Sequence, residues 1–289
     1  MKACGVIEVI TPKKFVLNGL WFGPRRPKRA IVWVHGLGSS AFSQLGIVDH
    51  LADTDTAVIT FNNRGFGTIN SVKRRIGNTS KSISVGTAHE IFTDSVDDIQ
   101  GAIDFVRRAG VKNIYLAGHS TGCQKSIYWA SKKGGRGVKG IILLAPISDY
   151  STHIMLQGKR RVARATIVAR ALVRGGKKHE MLPAHIWYQE FDAQRFLSLS
   201  TPDSVEEIFS YAQPKKNPRI LKTVKVPLLV LLGEKDEYGD RPAEGIAEWF
   251  KMHVQARKSD IRIIPGAPHS FADSEQRVAT TMRRWIASL

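Results

Sequence analysis

The stretch Gly118-His119-Ser120-Thr121-Gly122 sets a serine between glycines two places to either side. An apolar run at 113–117 precedes it, and residues 123–133, free of proline and glycine, follow it. Strand, tight turn and helix in that order make a nucleophile elbow, in which the turn strains the serine backbone and its hydroxyl stands clear of the sheet. The helix that follows aims its first N–H groups at the reacting centre. A serine hydroxyl is a weak nucleophile at neutral pH. It needs a base within hydrogen-bond reach, and the base needs a carboxylate to orient it.

Reacting groups of an open parallel sheet collect at the carboxyl ends of its strands. His269 meets that requirement, five residues beyond an apolar run ending at Ile264 and within a Pro/Gly-rich loop. Asp236, four residues beyond the run ending at Leu232, is the candidate acid; Glu234, Glu237 and Asp240 are its neighbours, and Asp149 is a second candidate. The tetrahedral intermediate of acyl transfer needs N–H donors. Thr121, next after the serine, supplies one. Leu37, within His35-Gly36-Leu37-Gly38, supplies the other, because glycines let the backbone approach. The same loop, read as Gly36-x-Gly38-x-x-Ala41, imitates a dinucleotide fingerprint. That fingerprint wants an acid at the end of the next strand, where Phe61-Asn62-Asn63-Arg64 has none.

The elements that must position these groups follow from periodicity. Residues 5–10 and 14–22 read as a hairpin, and 30–34, 57–61, 113–117, 138–145, 227–232 and 260–264 as further strands. Helices are expected at 41–52, from about 93, after Ser120, after Pro242 and at the C-terminal end. Val96, Ile99, Ile103 and Val106 lie on one face of the second of these. Residues 68–90 show no period and read as a loop. Repeated strand–helix units imply a mainly parallel sheet covered by helices on both faces. The alternation breaks off between the strand at 138–145 and Pro214. The division expected is a core of residues 1–146 and 215–289 with a helical cap, 147–214, inserted between its halves. Within the cap, Thr201-Pro202-Asp203-Ser204 reads as a helix start.

The chain carries a formal charge of +18 with no nucleic-acid-binding motif to accompany it. Residues 158–178 hold eight lysines and arginines and no acid, and read as a basic amphipathic helix. Two readings stay open for it: a solvated face, or a basic lid whose Arg160, Arg161 and Arg164 bind an anionic substrate. Two cysteines, Cys4 and Cys123, cannot form a disulfide framework, and no Cys/His spacing suits zinc. No apolar stretch reaches membrane-span length, and the first twenty residues lack the apolar segment of a secretory signal, so a cytoplasmic location is expected.

With elbow, His-Gly loop, acid loop and His269 loop in the order Ser, Asp, His, nearly the whole chain resembles the α/β-hydrolase superfamily. Gly118-His-Ser-Thr-Gly-Cys-Gln124, Asn62-Asn-Arg-Gly65, Thr87-Ala-His-Glu-Ile91 and Gly233-Glu-Lys-Asp-Glu237 look like a group that includes fungal siderophore-ester hydrolases. The resemblance implies nucleophile Ser120, acid Asp236, base His269, and no metal or cofactor. A serine at the elbow speaks against the dehalogenase and epoxide-hydrolase branches. The function expected is hydrolysis of a small-molecule carboxylic ester. The alternative is a non-catalytic hydrolase-fold protein whose basic surface binds nucleic acid or anionic membrane.

Overall fold

The computed structural model describes residues 3–289. β1 (Cys4–Ile10) and β2 (Phe15–Phe22) form an antiparallel hairpin. β3 (Arg29–Val34), β4 (Thr56–Phe61), β7 (Asn113–His119), β8 (Gly140–Leu144), β9 (Leu228–Gly233) and β10 (Ser259–Ile264) run parallel to one another. With β5 (Asn70–Ile76) and β6 (Thr79–Val85) at one edge, the sheet order is β10-β9-β8-β7-β3-β4-β2-β5-β6, and β1 pairs with β2. β4, β8 and β9 are buried along their whole length, which is why they read as unbroken apolar runs. Val34 pairs with Phe61 on one side and Gly118 on the other, so β3, β4 and β7 end level. The residues just past those ends therefore meet.

Helices cover both faces. α1 (Leu45–Leu51) and α9 (Glu275–Ala287) bury Ile47, Val48, Val278 and Met282 on one side. α2 (Ser95–Arg108), α3 (Thr121–Lys133) and α8 (Ala243–His253) bury Ile99, Ile103, Ile127 and Phe250 on the other. Each such side chain contributes roughly 1.5–3 kcal/mol by leaving water.

Between β8 and β9 run α4 (Asp149–Gln157), α5 (Lys159–Arg174), α6 (Ala193–Ser200) and the short α7 (Arg219–Thr223). α5 lacks proline and glycine and stops at Gly175-Gly176, where Gly176 has φ 77°. It buries Val162, Ala165 and Ala169 against Trp187, Phe196 and Leu199, an apolar cluster separate from those of the sheet.

Three expectations are corrected. Residues 68–90 are not all loop, since they contain the hairpin β5 (Asn70–Ile76) and β6 (Thr79–Val85). Thr201-Pro202 opens turns rather than a helix, and Ile208 and Phe209 reach the core from irregular backbone. The first helix covers only Leu45–Leu51, after turns and a left-handed Gln44 (φ 57°). Among the described residues, no helix is long and apolar enough to cross a membrane.

Candidate active site

Ser120 sits between β7 and α3 with φ 55° and ψ −127°, a strained conformation for a residue with a side chain. Its N–H donates to Leu144 O of β8 at 2.9 Å. The turn is so tight that a Cβ on Gly118 would collide with Gly122 O, and one on Gly122 with Val34 O. Gly36 passes close above, since a Cβ there would lie 2.9 Å from the Ser120 Cβ. This close approach is why both loops need glycine.

His269 is held at three points. Its Nδ1 lies 2.8 Å from Asp236 Oδ2 and 3.0 Å from Oδ1. Its N–H donates to Glu237 Oε2 at 2.9 Å, and its carbonyl accepts from His119 Nε2 at 2.9 Å. Burial lowers the His119 pKa to about 4, so this neighbour is a neutral donor. The Tyr238 ring stands edge-on to His269 at 4.8 Å, and the Tyr238 N–H donates to Asp236 Oδ1. Nδ1 is thus committed to the acid, which leaves Nε2 as the ring nitrogen free for proton transfer. Neither Glu237 nor His119 was expected to hold the base. Glu237 stood in the sequence only as a rival to Asp236, and His119 as an elbow residue.

The His35-Gly36-Leu37 loop is anchored in the same manner. His35 Nε2 accepts from the Asn63 N–H at 3.2 Å, so its proton is on Nδ1, which donates to Gly36 O at 2.8 Å. Burial and the nearby Lys125 lower its pKa to about 3. Leu37 packs against the α5–α6 cluster. Thr121 is the first residue of α3, where an N–H has no intrahelical acceptor. After Gly38 the chain runs through turns to α1, so no helix N-terminus follows the glycines as a dinucleotide site requires.

Ser120, His269, Gly36, Leu37 and His119 line one cavity of about 410 Å³. Ile147, Asp149, Thr152, His153, Leu156, Tyr188, Gln189 and Tyr238 close its other side. A second cavity of about 420 Å³, at the β5–β6 hairpin, is lined by Glu8, Asn18, Lys73 and serines and, among the described residues, by no histidine. Arg160, Arg161 and Arg164 do not line the cavity that holds Ser120. Burial of Val162, Ala165 and Ala169 turns those three positions outward. Arg161 alone approaches, 5.9 Å over the Tyr188 ring. Among the described residues, no lysine or arginine lines the cavity, and of the two readings open for α5 the solvated face is the one that these exposed positions favour.

The lysine that sequence reading passed over is inside. Lys125 of α3 is fully buried, 2.5 Å from Glu90 Oε1 and 3.2 Å from Asn63 Oδ1. Glu90 also meets Arg195 of α6 at 2.9 Å, and Arg195 meets Glu206 at 2.6 Å. Lys125 and Arg195 outweigh the burial that would raise the Glu90 pKa and hold it well below the usual range. Nearby, Asp192 Oδ2 takes both His89 (3.0 Å) and His179 (2.9 Å). These contacts tie the helices over the cavity to the sheet. Among the described residues, no group of three or more His, Cys, Asp or Glu is placed to hold a metal ion.

Residues 28–288 match a family model described as a protein of unknown function, DUF1749. The chain belongs to the DUF1749 family. No curated protein matches it. Among solved structures, this DUF1749 chain is similar to DcsB in complex with a substrate analogue, at 16% identity over 99% of each chain and a TM-score of 0.69. It is also similar to Est1E of Butyrivibrio proteoclasticus with ferulic acid bound, at 17% identity over 98% of each chain and a TM-score of 0.63. A monoacylglycerol lipase of Paleococcus ferrophilus matches at 18% identity over 94% of this chain and 98% of that one, with a TM-score of 0.62. The fold is the α/β-hydrolase fold, a mixed sheet with helices on both sides.

Proposed function

We propose that the protein is a serine hydrolase that cleaves a carboxylic ester through Ser120, His269 and Asp236. The observation that carries the reading is one cavity lined by a backbone-strained serine and by a histidine whose Nδ1 is held by an aspartate. The solved structures named as esterase or lipase support it at the level of fold. Ser120 Oγ attacks the acyl carbon while His269 Nε2 takes its proton. Asp236 keeps the other ring nitrogen protonated and stabilises the imidazolium that forms. The oxyanion meets the N–H groups of Leu37 and Thr121, each worth roughly 3 kcal/mol in the transition state. His269 returns the proton to the leaving alcohol oxygen, then activates water against the acyl-enzyme.

A fluorophosphonate probe tests this directly. The wild type should label at one site, and Ser120→Ala should abolish both labelling and turnover of p-nitrophenyl esters. A wild type that neither labels nor turns over, yet binds nucleic acid or anionic vesicles in a salt-sensitive way, would establish the non-catalytic alternative.

A further inference from the structure

The two N–H groups assigned to the oxyanion belong to different elements, so they must be held to one point. Thr121 opens α3, while Leu37 lies in the loop after β3 and lines the cavity with Ser120. Among the described residues, no group accepts from the Leu37 N–H. Its direction is set by the peptide it belongs to. That peptide is planar and trans, so the N–H points opposite to the Gly36 carbonyl. Gly36 O accepts from His35 Nδ1 at 2.8 Å and from the Ser39 N–H at 3.3 Å. The His35 ring is fixed in turn, because its Nε2 accepts from the Asn63 N–H at 3.2 Å.

Asn63 is also the point that α3 reaches. Its Oδ1 accepts the Gly65 N–H at 3.0 Å, which closes the turn, and Lys125 Nζ at 3.2 Å. Lys125 stands four residues after Thr121, one turn along the same face of α3. The lysine therefore spans from the helix that bears one donor to the turn that fixes the other. Its ammonium is fully buried and paired with Glu90 at 2.5 Å, and Glu90 is paired with Arg195 of α6 at 2.9 Å. Buried ion pairs are often no more stabilising than apolar residues of like volume, so stability alone does not account for a lysine here. An apolar side chain would fill the space but could not bond Asn63. Neither Lys125 nor Asn63 lines the cavity. Resting on the hydrolase reading, we propose that Lys125 and Asn63 are positioning residues for the oxyanion donors. Lys125 draws the Asn63–Gly65 turn onto α3, and Asn63, through His35, turns the Gly36–Leu37 peptide so that the Leu37 N–H converges with that of Thr121.

Three variants cut this chain. Asn63→Ala cuts it at the turn and leaves the buried ion pairs whole. Lys125→Met cuts it at the helix. Glu90→Gln/Lys125→Met makes the same cut but leaves Arg195 and Glu206 as a pair, with no lone buried charge, and carries the test where the single variant does not fold. With p-nitrophenyl butyrate, kcat should fall roughly tenfold to a hundredfold while KM stays within about threefold, because a displaced donor is an interaction lost only in the transition state. Butylboronic acid gives a second readout. Its boron takes Ser120 Oγ and becomes tetrahedral, the serine proton passes to His269, and a boron-bound oxygen meets the same two donors. Its inhibition constant should rise by the factor by which kcat falls. Variants that melt at a lower temperature yet keep kcat and boronate affinity would overturn the proposal and leave the hydrolase reading standing. So would variants that raise KM with kcat unchanged. A wild type that neither labels with fluorophosphonate nor turns over would overturn the hydrolase reading, and this proposal with it.

Discussion

Two strand ends deliver an aspartate to the same end of the sheet, and the molecule treats them oppositely. Asp236 follows β9 on an open loop, bonded to His269 and to the Tyr238 N–H, with its side chain 12% exposed. Asp149 follows β8 at the start of α4, is buried, and accepts from Gln124 Nε2 at 2.7 Å. The first is placed to stabilise a cation on its partner ring. The second has its pKa pushed up by burial and by Glu206 and Glu207, and it meets an amide rather than a histidine. Both positions satisfy the rule that acids gather at strand ends, so environment rather than topology separates their roles.

The sharpest way to break this comparison is to neutralise each acid in turn. Asp236→Asn removes the acceptor that fixes the His269 tautomer, and kcat should fall about 10⁴-fold with labelling correspondingly slow. Asp149 meets the Gln124 amide and no histidine, so the effect of Asp149→Asn on kcat for a plain ester should be at least a hundredfold smaller. If stopped assays show the order reversed, Asp149 is the acid of the triad and the contact to Asp236 is structural.

Much of the catalytic end was legible because backbone geometry dictates residue type there. The elbow needs Gly118 and Gly122, the neighbouring loop needs Gly36, and strands buried on both faces must be apolar. The β5–β6 hairpin escaped notice for the converse reason. Nearly all of both strands is in water, with only Val72 and Val85 buried, so no alternation marks them. The turns after Pro202 failed as a helix because Lys216 Nζ takes the Pro202 and Glu207 carbonyls, satisfying irregular backbone from a distance. Lys125, Glu90, Arg195 and Glu206 are spread over more than a hundred residues, and no local pattern announces that they share one buried cluster. The basic residues of α5 were visible at once, but composition records charge and not the direction in which it points, so both of their readings stayed open.

The buried acids around Asp149 make a second, smaller test. Burial raises the Glu207 pKa from the ordinary 4.5 to about 7, against hydrogen bonds from Ser148 Oγ and Gln213 that favour its charged form. Between those two pH values the folded chain holds a proton that the unfolded chain has released, so stability falls as pH rises through that window. Glu207→Gln stays neutral throughout. Its stability relative to wild type, read from thermal melts, should be flat below about pH 4.5 and should climb by on the order of 3 kcal/mol toward pH 8. A difference independent of pH would mean that Glu207 titrates alike in the folded and the unfolded chain, and that burial does not raise its pKa.

The smallest effect is expected from the most conspicuous charges. Arg160 and Arg164 face solvent on α5, and among the described residues no lysine or arginine lines the cavity. Exposed charges are screened over roughly 8–10 Å at physiological salt, so they act weakly on a group inside the cavity. The double substitution Arg160→Gln/Arg164→Gln should leave KM for p-nitrophenyl butyrate and for p-nitrophenyl monosuccinate within about twofold of wild type, since exposed pairings contribute less than about 1 kcal/mol. Arg161 is the graded case, because its guanidinium lies over Tyr188, whose ring lines the cavity. Arg161→Gln should alter both substrates alike, through the position of that ring. A rise in KM confined to the monosuccinate, in either variant, would show that the basic outer face does reach substrate.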